Sequence, residues 1–321
     1  MRRDRHQSDG GFDGMLDDAA LADWCGRSLG TRPVVVLFRT GHLAQVVGVE
    51  LANGSSAVIK VRPFESRIAG CVAAQDYLAR AGFPCPEPLA GPEIVDGCAV
   101  TAESLVSGGE QLPPERGAAP FAALLAQLIR SAPDVGRVPD LGPSPPWAGW
   151  DHRGSRLWPD RDDEGRDLNE MPGPAWVDAA ASRVRRRMST CGLPLRIGHG
   201  DWESQNIRWE ADRVLAVHDW DSVIAQPEAA IVGLAAAVWP AAGDPGEAAT
   251  VGQSSDFIAG YQTAAGAHWT DRDTQLAWAA GLWVRLFNAR KDAVIGGGPQ
   301  LDRLAAEIDD RLSLADLTRD S

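Results

Sequence analysis

The chain has 321 residues, with 31 Lys and Arg against 44 Asp and Glu; a formal charge of −13 argues against extended contact with nucleic acid or an anionic membrane. At 44% apolar and 23% charged residues, the composition is that of a globular protein and excludes a largely disordered chain. Single cores stop growing at roughly 250–300 residues, so two lobes are expected.

Residues 1–20 read as a mobile polar tail. The β-branched runs at 33–39, 43–51 and 56–62, around Asn53-Gly54, predict antiparallel strands joined by a hairpin. Ile68, Val72 and Leu78 recur on a helical period over 66–81, and Gly82 with Pro84 ends that helix. Residues 87–106 return to short extended pieces, with Gly97 placed for a turn. A compact apolar helix follows at 120–131, and the last third is Ala-rich with helical periodicity. Between them, residues 140–176 hold a run of prolines and four of the twelve tryptophans with little periodicity. Long irregular segments of this kind are often functional. The arginines Arg183, Arg185, Arg186 and Arg187 fall on an expected helix and read as a solvated face.

The five cysteines are widely spaced without a C-x-x-C pair, which fits a reducing, cytoplasmic compartment. The charged start is followed by Ser, Asp and Gly rather than an apolar core, which argues against a secretory leader. The longest weakly polar run, residues 229–240, falls short of the roughly 20 residues that span a bilayer.

The sharpest signal is Gly198-His199-Gly200-Asp201-Trp202-Glu203-Ser204-Gln205-Asn206, followed by the strand-like 214–217 and His218-Asp219-Trp220-Asp221. His-x-Asp with an Asn five positions after the Asp has the spacing of the protein-kinase catalytic loop, and Asp219 stands where the kinase D-F-G aspartate lies. Phosphoryl transfer asks little covalent help of a protein but needs magnesium and an in-line hydroxyl held in place. Asp219 and Asn206 offer the oxygen ligands that Mg2+ prefers, and Asp201 can orient the hydroxyl and receive its proton. Upstream, Ala57-Val58-Ile59-Lys60 ends the third strand as V-A-I-K does in kinases, and Lys60 and Lys291 are the only lysines in the chain. His199 reads as a buried hydrogen-bonding hub rather than a base, and His218 as a core histidine.

On Val58-Ile59-Lys60, Ala81-Gly82-Phe83-Pro84, His199-Gly200-Asp201 with Asn206, and Asp219-Trp220, the chain resembles the aminoglycoside phosphotransferase and choline-kinase-like family across residues 30–290. The resemblance implies an α+β, two-lobed protein-kinase-like fold: a nucleotide-binding N-lobe at 21–103, with a small antiparallel sheet and one helix, and a mainly helical catalytic and substrate-binding C-lobe at 104–321. It implies Asp201 as the catalytic aspartate, Asn206 and Asp219 as Mg2+ ligands, and Lys60 as phosphate anchor. The turn with Gly41 and His42 would cover the phosphates of ATP or GTP, and Glu103 to Leu105 would form the hinge whose backbone meets the purine. Relatives carry a Glu for the lysine in the following helix; that place falls near Cys71 here, with Glu65 and Asp76 the nearest acids.

Acceptor recognition rests on carboxylates and aromatics. Trp158, Asp160, Asp162 and Asp163 stand in a stretch with five acids, and Glu203 and Asp221 flank the motifs. Such groups attract amines and stack on sugars. The expected activity is transfer of a γ-phosphoryl group to a hydroxyl of a small amine-bearing molecule, aminoglycoside or amino-sugar-like, by a monomer or homodimer acting in antibiotic resistance. A metabolic kinase of choline, an amino acid or a sugar, and a non-catalytic nucleotide-binding scaffold, are the alternatives. No A-P-E segment follows Asp219, which argues against protein substrates.

Overall fold

The β-branched runs near the start fold as β1 (Pro33–Thr40), β2 (Gln45–Leu51) and β3 (Ser56–Pro63), and the extended pieces after them as β4 (Pro88–Val95) and β5 (Cys98–Ser104). They form one antiparallel sheet in the order β1-β2-β3-β5-β4. These observations come from a computed structural model, which describes residues 16–41, 44–244 and 247–318. The chain divides into two compact units, one taking it to Ile68 and again over Glu87–Leu105, the other taking Ala69–Pro86 and everything from Val106 on.

In the first unit, helix α1 (Asp18–Ser28) buries Leu21, Trp24 and Cys25 at helical spacing. These pack with Val47, Val49, Ile59, Val61 and Val100 of the sheet as one core. Asp17 caps α1, accepting from the Ala20 N–H at 2.8 Å. The helix thus begins inside the segment expected as a tail, whose residues 1–15 lie outside the described ones. The turn from β1 to β2 requires glycine: Gly41 has φ +131°, and a Cβ there would lie 1.7 Å from the Ala44 carbonyl oxygen.

The second unit starts in helix α2 (Ile68–Arg80), whose Cys71, Ala74 and Leu78 join Phe83 in that unit's core. It continues through α3 (Ala119–Ser131) and α4 (Ala175–Ser189) to two small ribbons. Strand β6 (Leu195–His199) pairs antiparallel with β9 (Val223–Pro227), and β7 (Ile207–Glu210) with β8 (Arg213–Val217). Helices α5 (Glu228–Val238), α6 (Val251–Ala265), α7 (Asp271–Val294) and α8 (Pro299–Leu314) complete it. Capping boxes at Thr250 with Gln253 and Thr270 with Asp273 start α6 and α7. Helix α5 is buried all round from Ala229 to Val238, as its Ala-rich sequence with no polar stripe dictates. Among the described residues, no helix is long and apolar enough to cross a membrane.

The irregular segment at 140–176 is held by arginines. Arg185 donates to the carbonyls of Trp150, His152 and Gly154 at 3.3, 2.9 and 2.8 Å, and so departs from the solvated face expected of it, while Arg186 stays exposed. Arg290, 2% exposed on α7, donates to the carbonyls of Leu168, Pro172 and Met171 and to Asp178. A buried guanidinium satisfied by converging carbonyls fixes a loop that has no ladder of its own.

Candidate active site

The β6–β9 ribbon closes at the pair His199 and Val223, and everything between these residues is one excursion from it. Asp201 stands where the excursion leaves and Asp219 where it returns, so the motifs that the sequence separates share a small volume. The His218 N–H donates to the Asn206 carbonyl at 2.8 Å, tying the two halves together. Each acid is followed by a core tryptophan. The Trp202 indole donates to the Phe121 carbonyl at 3.1 Å and that of Trp220 to Val217 at 2.7 Å, anchoring the chain beside each carboxylate.

The Asn206 side-chain amide donates to the Asp201 carbonyl at 3.0 Å and to its Oδ2 at 2.8 Å. Asp219 sits at φ 63°, ψ 49°, a left-handed conformation that Asp tolerates better than most residues. Its Oδ2 accepts from the Ser222 hydroxyl at 2.9 Å, a contact that sequence reasoning missed and that only the turn Trp220–Ser222 reveals. Glu203 accepts from the Gln205 side chain, the second orienting residue missed.

Four carboxylates concentrate charge here. Desolvation, then the charges of Glu203 and Asp219, hold Asp201 well above the usual carboxylate range; the Asn206 hydrogen bond opposes them and Asp221 adds a smaller push. Desolvation is also the main cause that pushes Glu203 up to about 7, with the charges of Asp219 and Glu247 acting in the same direction. Among the described residues, no group of three or more His, Cys, Asp or Glu side chains is arranged to hold a metal by itself.

His199, fully buried, is the hub of this loop. Its Nδ1 accepts the Asp201 N–H at 3.2 Å and its Nε2 bonds the His218 carbonyl at 3.0 Å, an arrangement that needs the neutral ring with the proton on Nε2. Burial pushes its pKa down to about 4.

In the first unit, Lys60 Nζ lies 3.1 Å from Glu103 Oε1, with only 12% and 9% of the two side chains exposed. The partner not found in the helix is therefore a neighbour in the sheet: Lys60 faces Thr101 across β3 and β5, and Glu103 is two positions along on the same face. The N–H groups of Ser104 and Leu105 donate to the carbonyls of Glu87 and Ser56 at 2.8 and 3.2 Å, so neither remains as a donor to a purine. Gly41 occupies the expected turn, and His42 lies outside the described residues.

The expected acceptor residues of the irregular segment are engaged in its own architecture. Trp158 is 1% exposed, donates to Asp178 at 2.9 Å and packs on Trp283. Asp162 accepts from the N–H groups of Glu164 and Arg166 and from the Arg166 guanidinium at 3.0, 2.7 and 2.8 Å. Asp163 binds Lys291 at 2.6 Å. Asp160 keeps 79% of its side chain exposed beside Arg156.

The sequence at residues 34–267 matches the phosphotransferase enzyme family, and the chain belongs to it. The class so defined is a small-molecule kinase. The fold is shared with an amicoumacin kinase solved with AMP-PNP and Ca2+, at TM-score 0.56 and 12% identity over 88% of each chain. An aminoglycoside phosphotransferase from Alicyclobacillus acidocaldarius superposes at TM-score 0.53 and 12% identity over 97% of each chain. A putative fructosamine-3-kinase from Thermobifida fusca does so at TM-score 0.52 and 15% identity, over 92% of this chain and 99% of that one. No curated protein matches the chain in sequence.

Proposed function

We propose that the protein transfers the γ-phosphoryl group of ATP or GTP, with Mg2+, to a hydroxyl of a small amine-bearing molecule. The observation that carries this reading is the Asn206 amide clasping the Asp201 carboxylate at 2.8 Å, beside Asp219. Asp201 orients the acceptor hydroxyl and takes its proton; with Oδ2 bonded to Asn206, Oδ1 faces the acceptor. Lys60 holds a nucleotide phosphate, and the Glu103 side chain holds Lys60 in place.

Support for Mg2+ comes from the donor chemistry. The amide of Asn206 turns its N–H groups to Asp201, which leaves its oxygen as the remaining donor, and Asp219 adds a carboxylate. A divalent cation at Asn206 and Asp219 would also offset the Asp219 charge, which adds to desolvation and to the Glu203 charge in raising Asp201. When bound, Mg2+ supplies charge neutralisation at the nucleotide phosphates. The amine preference rests on the surplus of carboxylates, with Glu203, Asp221 and the exposed Asp160 as its candidates. A cytoplasmic role in antibiotic resistance follows if the acceptor is an aminoglycoside.

The test is mass spectrometry of pooled aminoglycosides, amino sugars, choline and amino alcohols incubated with the protein, Mg2+ and ATP or GTP. A gain of one phosphate on an amine-bearing compound, absent with Asp201→Asn, supports the reading. A gain that survives Asp201→Asn overturns the assignment of Asp201, and nucleotide binding without any gain favours a scaffold.

A further inference from the structure

The peptide between Gly200 and Asp201 carries the backbone into the acid, and both of its polar ends are held by side chains. Its N–H, that of Asp201, donates to His199 Nδ1 at 3.2 Å. Its carbonyl, that of Gly200, accepts from the Trp147 indole Nε1 at 2.8 Å. The Gly200 N–H in turn donates to the Ser222 carbonyl at 2.7 Å. Gly200 is required there, since a Cβ would lie 2.9 Å from the Ser222 oxygen and 3.0 Å from Ile224 Cγ2. His199 belongs to the motif, whereas Trp147 comes from the irregular segment more than fifty residues upstream.

Trp147 is itself anchored to the ribbon that carries the site. It lies in the short 3-10 segment Pro146–Asp151, which is kinked at Ala148 and Gly149. At the end of that segment, Asp151 Oδ2 accepts from the side chain of Gln226 on β9 at 2.6 Å and from the Ser144 hydroxyl at 3.2 Å. Gln226, 4% exposed, also donates to the Ser144 hydroxyl at 3.0 Å. The segment therefore has two holds beside the site, at Gly200, one residue beyond β6, through Trp147 and at Gln226 on β9 through Asp151. A loop residue with no ladder hydrogen bond beyond it has a peptide plane that can rock; two side-chain bonds on opposite edges of that plane remove this freedom.

We infer that Trp147 is a positioning residue of the reaction: its indole N–H, by fixing the Gly200 carbonyl, sets the direction in which the Asp201 carboxylate meets the acceptor hydroxyl. The inference rests on the reading of Asp201 as the group that takes the hydroxyl proton. A shift of about 1 Å in a catalytic group costs on the order of 100-fold in rate. Losing one of several restraints costs less.

The test compares wild type with Trp147→Phe and with a chain carrying 3-benzothienylalanine at 147, which keeps ring size and shape and lacks the N–H. Two readouts are taken on the full-length protein. Amide hydrogen exchange at Asp201 is expected to quicken about tenfold in both variants, with the amides of β6 and β9 unchanged. In turnover, kcat is expected to fall about tenfold while KM for nucleotide and acceptor stays within twofold and the melting temperature holds. Unchanged exchange at Asp201 overturns the clamp, and this readout needs no acceptor. Quickened exchange with unaltered kcat overturns the positioning role. Equal turnover by wild type and Asp201→Asn in the same assay sinks the underlying reading instead, and is distinguishable from both.

Discussion

Asn206 reaches back five residues to donate to Asp201 twice, at the main-chain carbonyl and at Oδ2. One amide thus sets both the turn of the loop and the rotamer of the acid. Asn206→Ala removes this clasp together with the proposed metal oxygen, and a fall in kcat of about 100-fold or more is expected. Asp201→Asn removes the proton acceptor itself and should cost about 1000-fold, within the range seen for general bases. Steady-state assays with an identified acceptor check both, and an Asn206→Ala enzyme within tenfold of wild type would refute the double role.

The contact between Lys60 and Glu103 makes a different prediction. Both side chains are nearly buried and their charged atoms stand 3.1 Å apart, so each charge is held in part by the other. Glu103→Gln keeps the shape and removes the charge, loosening the ammonium. The nucleotide Kd is expected to rise about tenfold, equivalent to about 1.4 kcal/mol, while kcat at saturation changes less. Calorimetric titration with nucleotide reads this, and an unchanged Kd rules out the supporting part assigned to Glu103.

How much of this was legible in the sequence follows from which relationships are local. The pairing of Asp201 with Asn206 and its link to Asp219 are written in spacing, because the excursion between β6 and β9 is short. Strand and helix positions followed from β-branched runs and helical periods. The partner of Lys60 was not legible: it depends on the pairing of β3 with β5, and nothing near Lys60 encodes that register. Trp158 and Asp162 look like a binding surface in sequence because aromatic and acidic residues suit both ligands and cores. What decides between these is Asp178, Arg166 and Arg290, which come from α4, the same loop and α7. Helix α1 escaped because only three of its residues, Leu21, Trp24 and Cys25, are buried, too few to set a helical period in sequence.

His199 predicts an acid limb of stability. Its folded pKa, about 4, lies below the usual value of 6.5, so the native state favours the neutral ring. Its contribution is complete above about pH 6.5 and is lost as pH falls from there towards 4, because the unfolded chain takes up the proton first. Protonation would also put an N–H on Nδ1 against the N–H of Asp201. The loss amounts to about 3 kcal/mol across that window. Urea unfolding at pH 7.5 and 5 should show a steeper decline for wild type than for His199→Asn; parallel declines would remove His199 as the cause.

Glycines at two helix interiors offer a test of where the second unit is packed to contact and where it has room. At Gly233, on α5, a Cβ would lie 1.9 Å from the Ala277 carbonyl oxygen on α7 and 2.5 Å from its carbon, both rigid backbone. Gly281 on α7 returns the relation, its Cβ falling 2.7 Å from the Gly233 oxygen. Gly233→Ala must push two buried helices apart, at a cost of about 3 kcal/mol or more. Gly260 on α6 is the contrast: a Cβ there meets Ala122 Cβ at 3.4 Å and Ala119 Cα at 3.6 Å, ordinary contact distances. Gly260→Ala should then be neutral or stabilise by up to about 1 kcal/mol through helix propensity. Opposite signs are expected when the two variants are melted side by side, because α5 and α7 approach through absent side chains while α6 and α3 meet through present ones. Equal effects would mean that the α5–α7 approach relaxes freely.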